Sequence, residues 1–144
     1  MYKEINYLQL NEACRAIHQS ALDKGFTLQP VPTNLMLIVT ELSEACEADR
    51  RGRHAILPAF YNSFPGYSQV HDGSIILKER DDHFNIMFRM HFDAYIKDTF
   101  EDEIADAMMR LMDLCAAEGI DIENHIKLKA LYNELRPHKH GKEY

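Results

Sequence analysis

The 144-residue chain has no surplus of positive charge, no C-x-x-C motif, no Glu-x-x-His and no apolar run of membrane-spanning length. Each absence removes a class of function. With 16 Lys and Arg against 23 Asp and Glu, the formal net charge is -7. Nonspecific coating of nucleic acid relies on clustered cations, so no nucleic-acid partner is expected and any anionic ligand must be recruited locally. The three cysteines, Cys14, Cys46 and Cys115, stand singly among apolar neighbours and are odd in number. Buried reduced thiols in a cytoplasmic protein are the expectation. Lys3, Glu4 and Asn6 interrupt anything resembling a signal peptide, and no membrane partner is expected. The absence of Glu-x-x-His removes most of the weight from a di-iron carboxylate bundle.

Two carboxylate pairs at i, i+3 are present in stretches that read as apolar helix: Glu41 with Glu44, and Glu103 with Asp106. An α-helix turns once per 3.6 residues, so each pair projects from one face. If the two faces meet inside a helix bundle, four carboxylates converge where none stays ionised without a neutralising cation. A hard divalent metal is implied.

The length suits one domain spanning residues 1–144 with a real core. Leu10, Cys14, Ile17 and Ala21 recur at three- and four-residue spacing, predicting a first helix over about residues 4–24 with Gly25 as its stop. Pro30 and Pro32 read as breakers. Thr33 or Asn34 then caps a second helix to Arg51, ended by Gly52, with a core stripe of Leu35, Ile38, Val39, Leu42, Ala45 and Cys46. A third begins near Asp98 or Thr99 with Thr99 and Asp102 as a loose capping box, and runs to about Glu118 before Gly119. Phe100, Ile104, Ala107, Met108, Leu111 and Cys115 fill its wide apolar arc, so its acidic stripe should face something other than bulk water. A fourth covers about residues 121–136 and ends at Pro137.

Residues 53–97 form a long segment between the second and third helices. Its first half, with Pro58, Pro65, Gly66 and Gly73, reads as loop with one short turn of helix. Phe84, Ile86, Phe88, Met90 and Phe92 alternate as in a strand, yet Phe84, Phe88, His91, Phe92 and Tyr95 share a helix face. The helical surroundings favour a helix running on towards Lys97. A hairpin with residues 74–77 is the alternative.

Magnesium prefers an octahedral oxygen shell and keeps several waters, so carboxylates from facing helices plus substrate phosphates would complete it, with Mn2+ as the substitute. The expected chemistry is metal-assisted hydrolysis of a phosphoanhydride. Lys129, Arg136, Lys139 and Lys142, interleaved with Tyr132, Asn133 and His140, supply cations near the end of an acidic chain. Acidic pairs and a basic tail together suit a metal-nucleotide ligand.

The order E-L-S-E-A, K-D-T-F-E-D-E-I-A-D-A and K-x-x-Y-N-x-x-R-P-x-K-H-G-K resembles the MazG-like, all-α nucleoside triphosphate pyrophosphohydrolases over about residues 33–53 and 93–144. That family's E-x-x-E and E-x-x-D pairs fall on Glu41, Glu44, Glu103 and Asp106. The resemblance implies a bundle of about four main helices and magnesium-dependent cleavage of a (deoxy)nucleoside triphosphate to monophosphate and pyrophosphate. It also implies nucleotide or phosphate contact by Lys129, Asn133 and Arg136, with Tyr132 and the Lys139, His140 and Lys142 tail as weaker candidates. Glu41 or Glu44 would also orient or deprotonate the attacking water. A homodimer or homotetramer follows from the family's habit of building its cores from two chains. The departure is the insertion at about 53–97, which could serve as lid, base-selecting wall or oligomer contact. A catalytically silent nucleotide-binding or scaffold protein of the same fold is the alternative.

Blander readings apply elsewhere. Glu47 and Glu101 read as solvated and Asp102 as a cap, while Arg110 is spaced to pair with Asp106 and Asp113. His138 and His140 read as tail rather than zinc ligands, and His71 beside Asp72 as chance.

Overall fold

The computed structural model describes residues 9–27, 29–63 and 82–136. Every regular element among them is a helix: α1 (Leu10–Asp23), α2 (Val31–Arg50), α3 (Leu57–Ser63), α4 (Asp82–Tyr95), α5 (Phe100–Ala117) and α6 (Ile122–Glu134). The all-α expectation therefore holds for the described residues. None of these helices is long and apolar enough to cross a membrane. Helices α1, α2, α5 and α6 answer the four expected from periodicity, and α3 and α4 lie in the long segment between α2 and α5.

The start of α2 corrects the expected cap at Thr33 or Asn34. The Asn34 amide donates to the Pro30 carbonyl at 3.1 Å, so the first helical bond closes on Pro30 and Pro32 lies inside the first turn. There a missing N–H costs nothing, because the first amides of a helix have no partner within it, and the fixed proline φ is already helical. The stops at Gly52 and Gly119 are as expected. Both glycines take φ of +66°, and the next residue reaches back five positions, Arg53 to the Ala48 carbonyl at 2.9 Å and Ile120 to that of Cys115 at 2.8 Å. This pairing satisfies carbonyls that the helix end would leave open.

The described residues between 36 and 107 form one compact unit, and those on either side form another. Helices α2 and α5 each contribute to both. In the flanking unit, Cys14, Leu114 and Cys115 are buried. Burial pushes both thiols above their usual pKa, and all three cysteines are free, with Cys46 exposed instead of buried as expected. Asn11 at the start of α1 and the start of α6 hold each other. The Asn11 amide donates to Glu123 Oε1 at 3.2 Å, its Nδ2 donates to Asp121 Oδ1 at 2.7 Å, and the Glu123 amide donates to Asn11 Oδ1 at 3.4 Å. Asp121 also caps α6 by accepting the Asn124 amide, and these bonds, that from Asn11 first, hold its carboxyl below the usual range.

In the central unit the buried apolar residues are Ala45, Ala48, Phe60 and Ala107. On α4 the rings of Phe84, Phe88 and Phe92 stack at every fourth position, with centroids 6.5 and 5.9 Å apart. Phe60 of α3 meets Phe88 edge-on at 5.8 Å, and Ser63 Oγ lies 2.9 Å from His91 Nδ1. A ladder at i, i+4 belongs to a helix, so the helical alternative prevails over the strand. Residues 74–77 lie outside the described residues.

The expected core stripe of α2 needs correction. Of its six residues only Ala45 is buried; Leu35, Val39 and Leu42 are close to half exposed, as are Met108 and Leu111 of the arc expected on α5. Apolar periodicity shows that a face wants covering, but not which chain covers it.

Candidate metal centre

Glu41 and Glu44 stand one turn apart on α2, and Glu103 and Asp106 one turn apart on α5. Their buried neighbours Ala45, Ala48 and Ala107 fix those faces inward. One carboxylate oxygen from each of Glu41, Glu44 and Glu103 lies within 4.8 Å of the other two. Glu41 is 8 % and Glu103 7 % exposed, whereas Glu44 is exposed. Asp106 is exposed and lines the same cavity without joining the close trio. Three of the four expected ligands thus converge, and the fourth stands at the wall.

The cavity measures about 350 Å³ and is also lined by Phe92, Asp93, Lys97, Asp98 and Asp102. This is within the range of small-molecule sites. Burial raises the Glu103 pKa to about 7, and the surrounding charges of Glu44, Asp102, Glu41 and Asp106 push the same way. No described side chain donates a hydrogen bond to the Glu103 carboxylate. Burial and the anionic neighbours both favour the protonated form of Glu103, and a bound cation would favour the ionised one.

The donor set fits magnesium or manganese: all oxygen, mutually close and open on one side to a cavity. Two oxygens on one magnesium ion can be at most about 4.2 Å apart. The three oxygens, all within 4.8 Å of one another, lie near that limit, and Glu44 is exposed.

The corner between α4 and α5 sets the rest of the wall. Thr99, buried, caps α5: its Oγ1 accepts the Asp102 amide at 3.4 Å and donates to the Ile96 carbonyl at 2.6 Å. The Asp102 carboxylate accepts the Asp98 amide at 3.0 Å, and Asp98 takes φ of +58°, a left-handed conformation that aspartate tolerates better than most residues. Asp102 is therefore a cap, as expected, and also a cavity residue, and burial raises its pKa. Glu101 is not simply solvated. Its carboxylate accepts the Ala55 amide at 2.8 Å and faces His54 Nδ1 at 3.2 Å, and the Ala55 bond foremost holds its pKa low.

Lys129, Tyr132 and Asn133 lie exposed on α6 and Arg136 lies exposed just past its end, all in the flanking unit. Lys129 Nζ is 5.0 Å and Arg136 Cζ 6.0 Å from the Tyr132 ring centroid, so two cations lie against one aromatic ring. Lys139, His140 and Lys142 lie outside the described residues, as do His71, Asp72 and His138. Asp113, matched by spacing to Arg110, is 2.7 Å from His18 Nδ1. Sequence reasoning passed over Asp93, Lys97 and Asp98. Their signal was the few residues between the end of α4 and the cap of α5, which force this corner against the acidic first turns of α5. No family model, curated protein or solved structure matches the chain, which leaves the carboxylate geometry to carry the functional reading.

Proposed function

We propose that the chain is a magnesium-dependent, MazG-like nucleoside triphosphate pyrophosphohydrolase that converts a (deoxy)nucleoside triphosphate to its monophosphate and pyrophosphate. The observation that carries this reading is the convergence of Glu41, Glu44 and Glu103 within 4.8 Å, with Glu103 buried and lacking a donor among the described side chains. The E-x-x-E and E-x-x-D order and the K-x-x-Y-N-x-x-R run support it. Glu41, Glu44, Glu103 and Asp106 hold the ion, with manganese as a substitute.

When bound, the ion supplies charge neutralisation at the phosphoryl oxygens and orients water. The protein's own work is to exclude competing solvent, position the anhydride and take a proton. Water oxygen bonds to phosphorus, the bond to the bridging oxygen breaks, and pyrophosphate separates from the monophosphate. The proton of that water passes to a carboxylate oxygen of Glu44, which is exposed at the cavity, or of Glu41 behind it. Lys129, Asn133 and Arg136 bind nucleotide or phosphate, with Tyr132, Lys139, His140 and Lys142 assisting.

A homodimer or homotetramer belongs to the same reading. The exposed apolar row of Leu35, Met36, Val39 and Leu42 on α2 is what a second copy would cover. The test of function is pyrophosphate release by the wild-type protein and by Glu44→Gln. Magnesium-dependent release lost in the variant supports the reading. Nucleotide binding without release in the wild type would favour a silent binding or scaffold protein of the same fold.

A further inference from the structure

We infer that Lys97, at the end of the inserted segment, is the cation that receives the substrate's phosphate oxygens in the acidic cavity. This deepens the proposed triphosphate chemistry and rests on it. Among the described residues, the cavity wall carries seven carboxylates, those of Glu41, Glu44, Asp93, Asp98, Asp102, Glu103 and Asp106, and a single ammonium, that of Lys97. A triphosphate stays anionic even with a divalent ion bound, and a wall this acidic repels whatever charge the ion leaves uncancelled. A local cation is therefore needed for the ligand to settle. Glu103, a residue only 7 % exposed that lines this cavity and accepts no hydrogen bond from a described side chain, is a separate sign that the cavity is built to receive a charged guest.

The backbone beneath Lys97 is pinned on both sides. The Ile96 and Lys97 amides both donate to the Phe92 carbonyl at 2.9 Å. The next residue, Asp98, is held in its left-handed conformation by the Asp102 carboxylate. Ile56 donates to the Tyr95 carbonyl and Phe100 to that of Arg53, each at 3.0 Å, which ties the corner to residues 53–56. The side chain itself is half exposed, and its ion pair with Asp98 at 3.3 Å is solvated and weak. Lys97 thus combines a fixed base with an ammonium free to swing and three donors to give. It also gives the inserted segment a role: the end of α4 and the turn after it form the phosphate-side wall.

A role limited to offsetting repulsion among the carboxylates predicts something different, so the test separates the two. Lys97→Ala and Lys97→Arg are compared with wild type for KM and kcat with a nucleoside triphosphate at saturating magnesium, and for affinity towards magnesium alone. Phosphate contact predicts a KM raised about ten- to a hundredfold in Lys97→Ala, with kcat changed much less. Lys97→Arg should restore most of the KM, and magnesium alone should bind Lys97→Ala more tightly. Tighter magnesium binding with unchanged KM would overturn the inference while leaving the proposed function standing. Absence of turnover in the wild-type protein would overturn both.

Discussion

Glu41 of α2 and Glu103 of α5 are each more than nine-tenths buried, and each places a carboxylate oxygen within 4.8 Å of the other and of Glu44. Burial foremost, with the charges of Glu44, Asp102, Glu41 and Asp106 adding to it, raises the Glu103 pKa to about 7.

Glu103→Gln follows directly. An unfolded chain releases this proton near 4.5, whereas the folded protein holds it to about 7. The group therefore favours folding fully below pH 4.5, and that contribution is lost as pH rises from 4.5 through 7. Glutamine stays neutral throughout. Without divalent metal, the variant should match wild type near pH 4 and melt at a higher temperature at pH 8. Turnover should be abolished. A variant with wild-type turnover in magnesium, or with an unchanged pH dependence of melting, would remove Glu103 from the site.

Thr99→Ala tests the corner. The substitution removes the cap of α5 and the bond to the Ile96 carbonyl together. The expected loss is about 1–2 kcal/mol in urea unfolding, with Thr99→Ser close to wild type. Equal stability of all three proteins would show that the hydroxyl is not what holds this turn.

Val39→Asp and Leu42→Asp test assembly. Both side chains are nearly half exposed on α2 although their spacing is that of a core stripe. Sedimentation should give a dimer or larger for wild type and a shift towards monomer for the variants. A monomeric wild type would contradict the homo-oligomer reading.

Arg136→Ala should weaken nucleotide binding about tenfold or more while leaving magnesium affinity unchanged, because in the proposed function its guanidinium would contact phosphate rather than the ion. Titration calorimetry with a nonhydrolysable triphosphate measures this. Unchanged affinity would take Arg136 out of the binding set.

The carboxylate pairs were legible because helical periodicity converts a spacing of three directly into a shared face. The helix stops were legible because glycine alone enters the required conformation cheaply, as at Gly52 and Gly119. Pro30 and Pro32 misled because proline breaks a helix interior yet suits its first turn. Leu35, Val39 and Leu42 misled because periodicity records that a face wants covering without recording by what. The cavity's further residues left only the short α4–α5 connection as a local signal, and contacts made across the chain left none. Lys97 is positioned by hydrogen bonds of the α4–α5 corner, Glu101 finds its donor at Ala55, 46 residues away, and His18 meets Asp113 across 95 residues.

The most direct measurement is release of pyrophosphate and orthophosphate from a panel of ribo-, deoxyribo- and modified nucleoside triphosphates, with magnesium and with chelator. The account predicts one pyrophosphate per monophosphate formed, dependent on the divalent ion, with a clear preference within the panel. Release that persists in chelator, orthophosphate as the main product, or silence across the whole panel would contradict it.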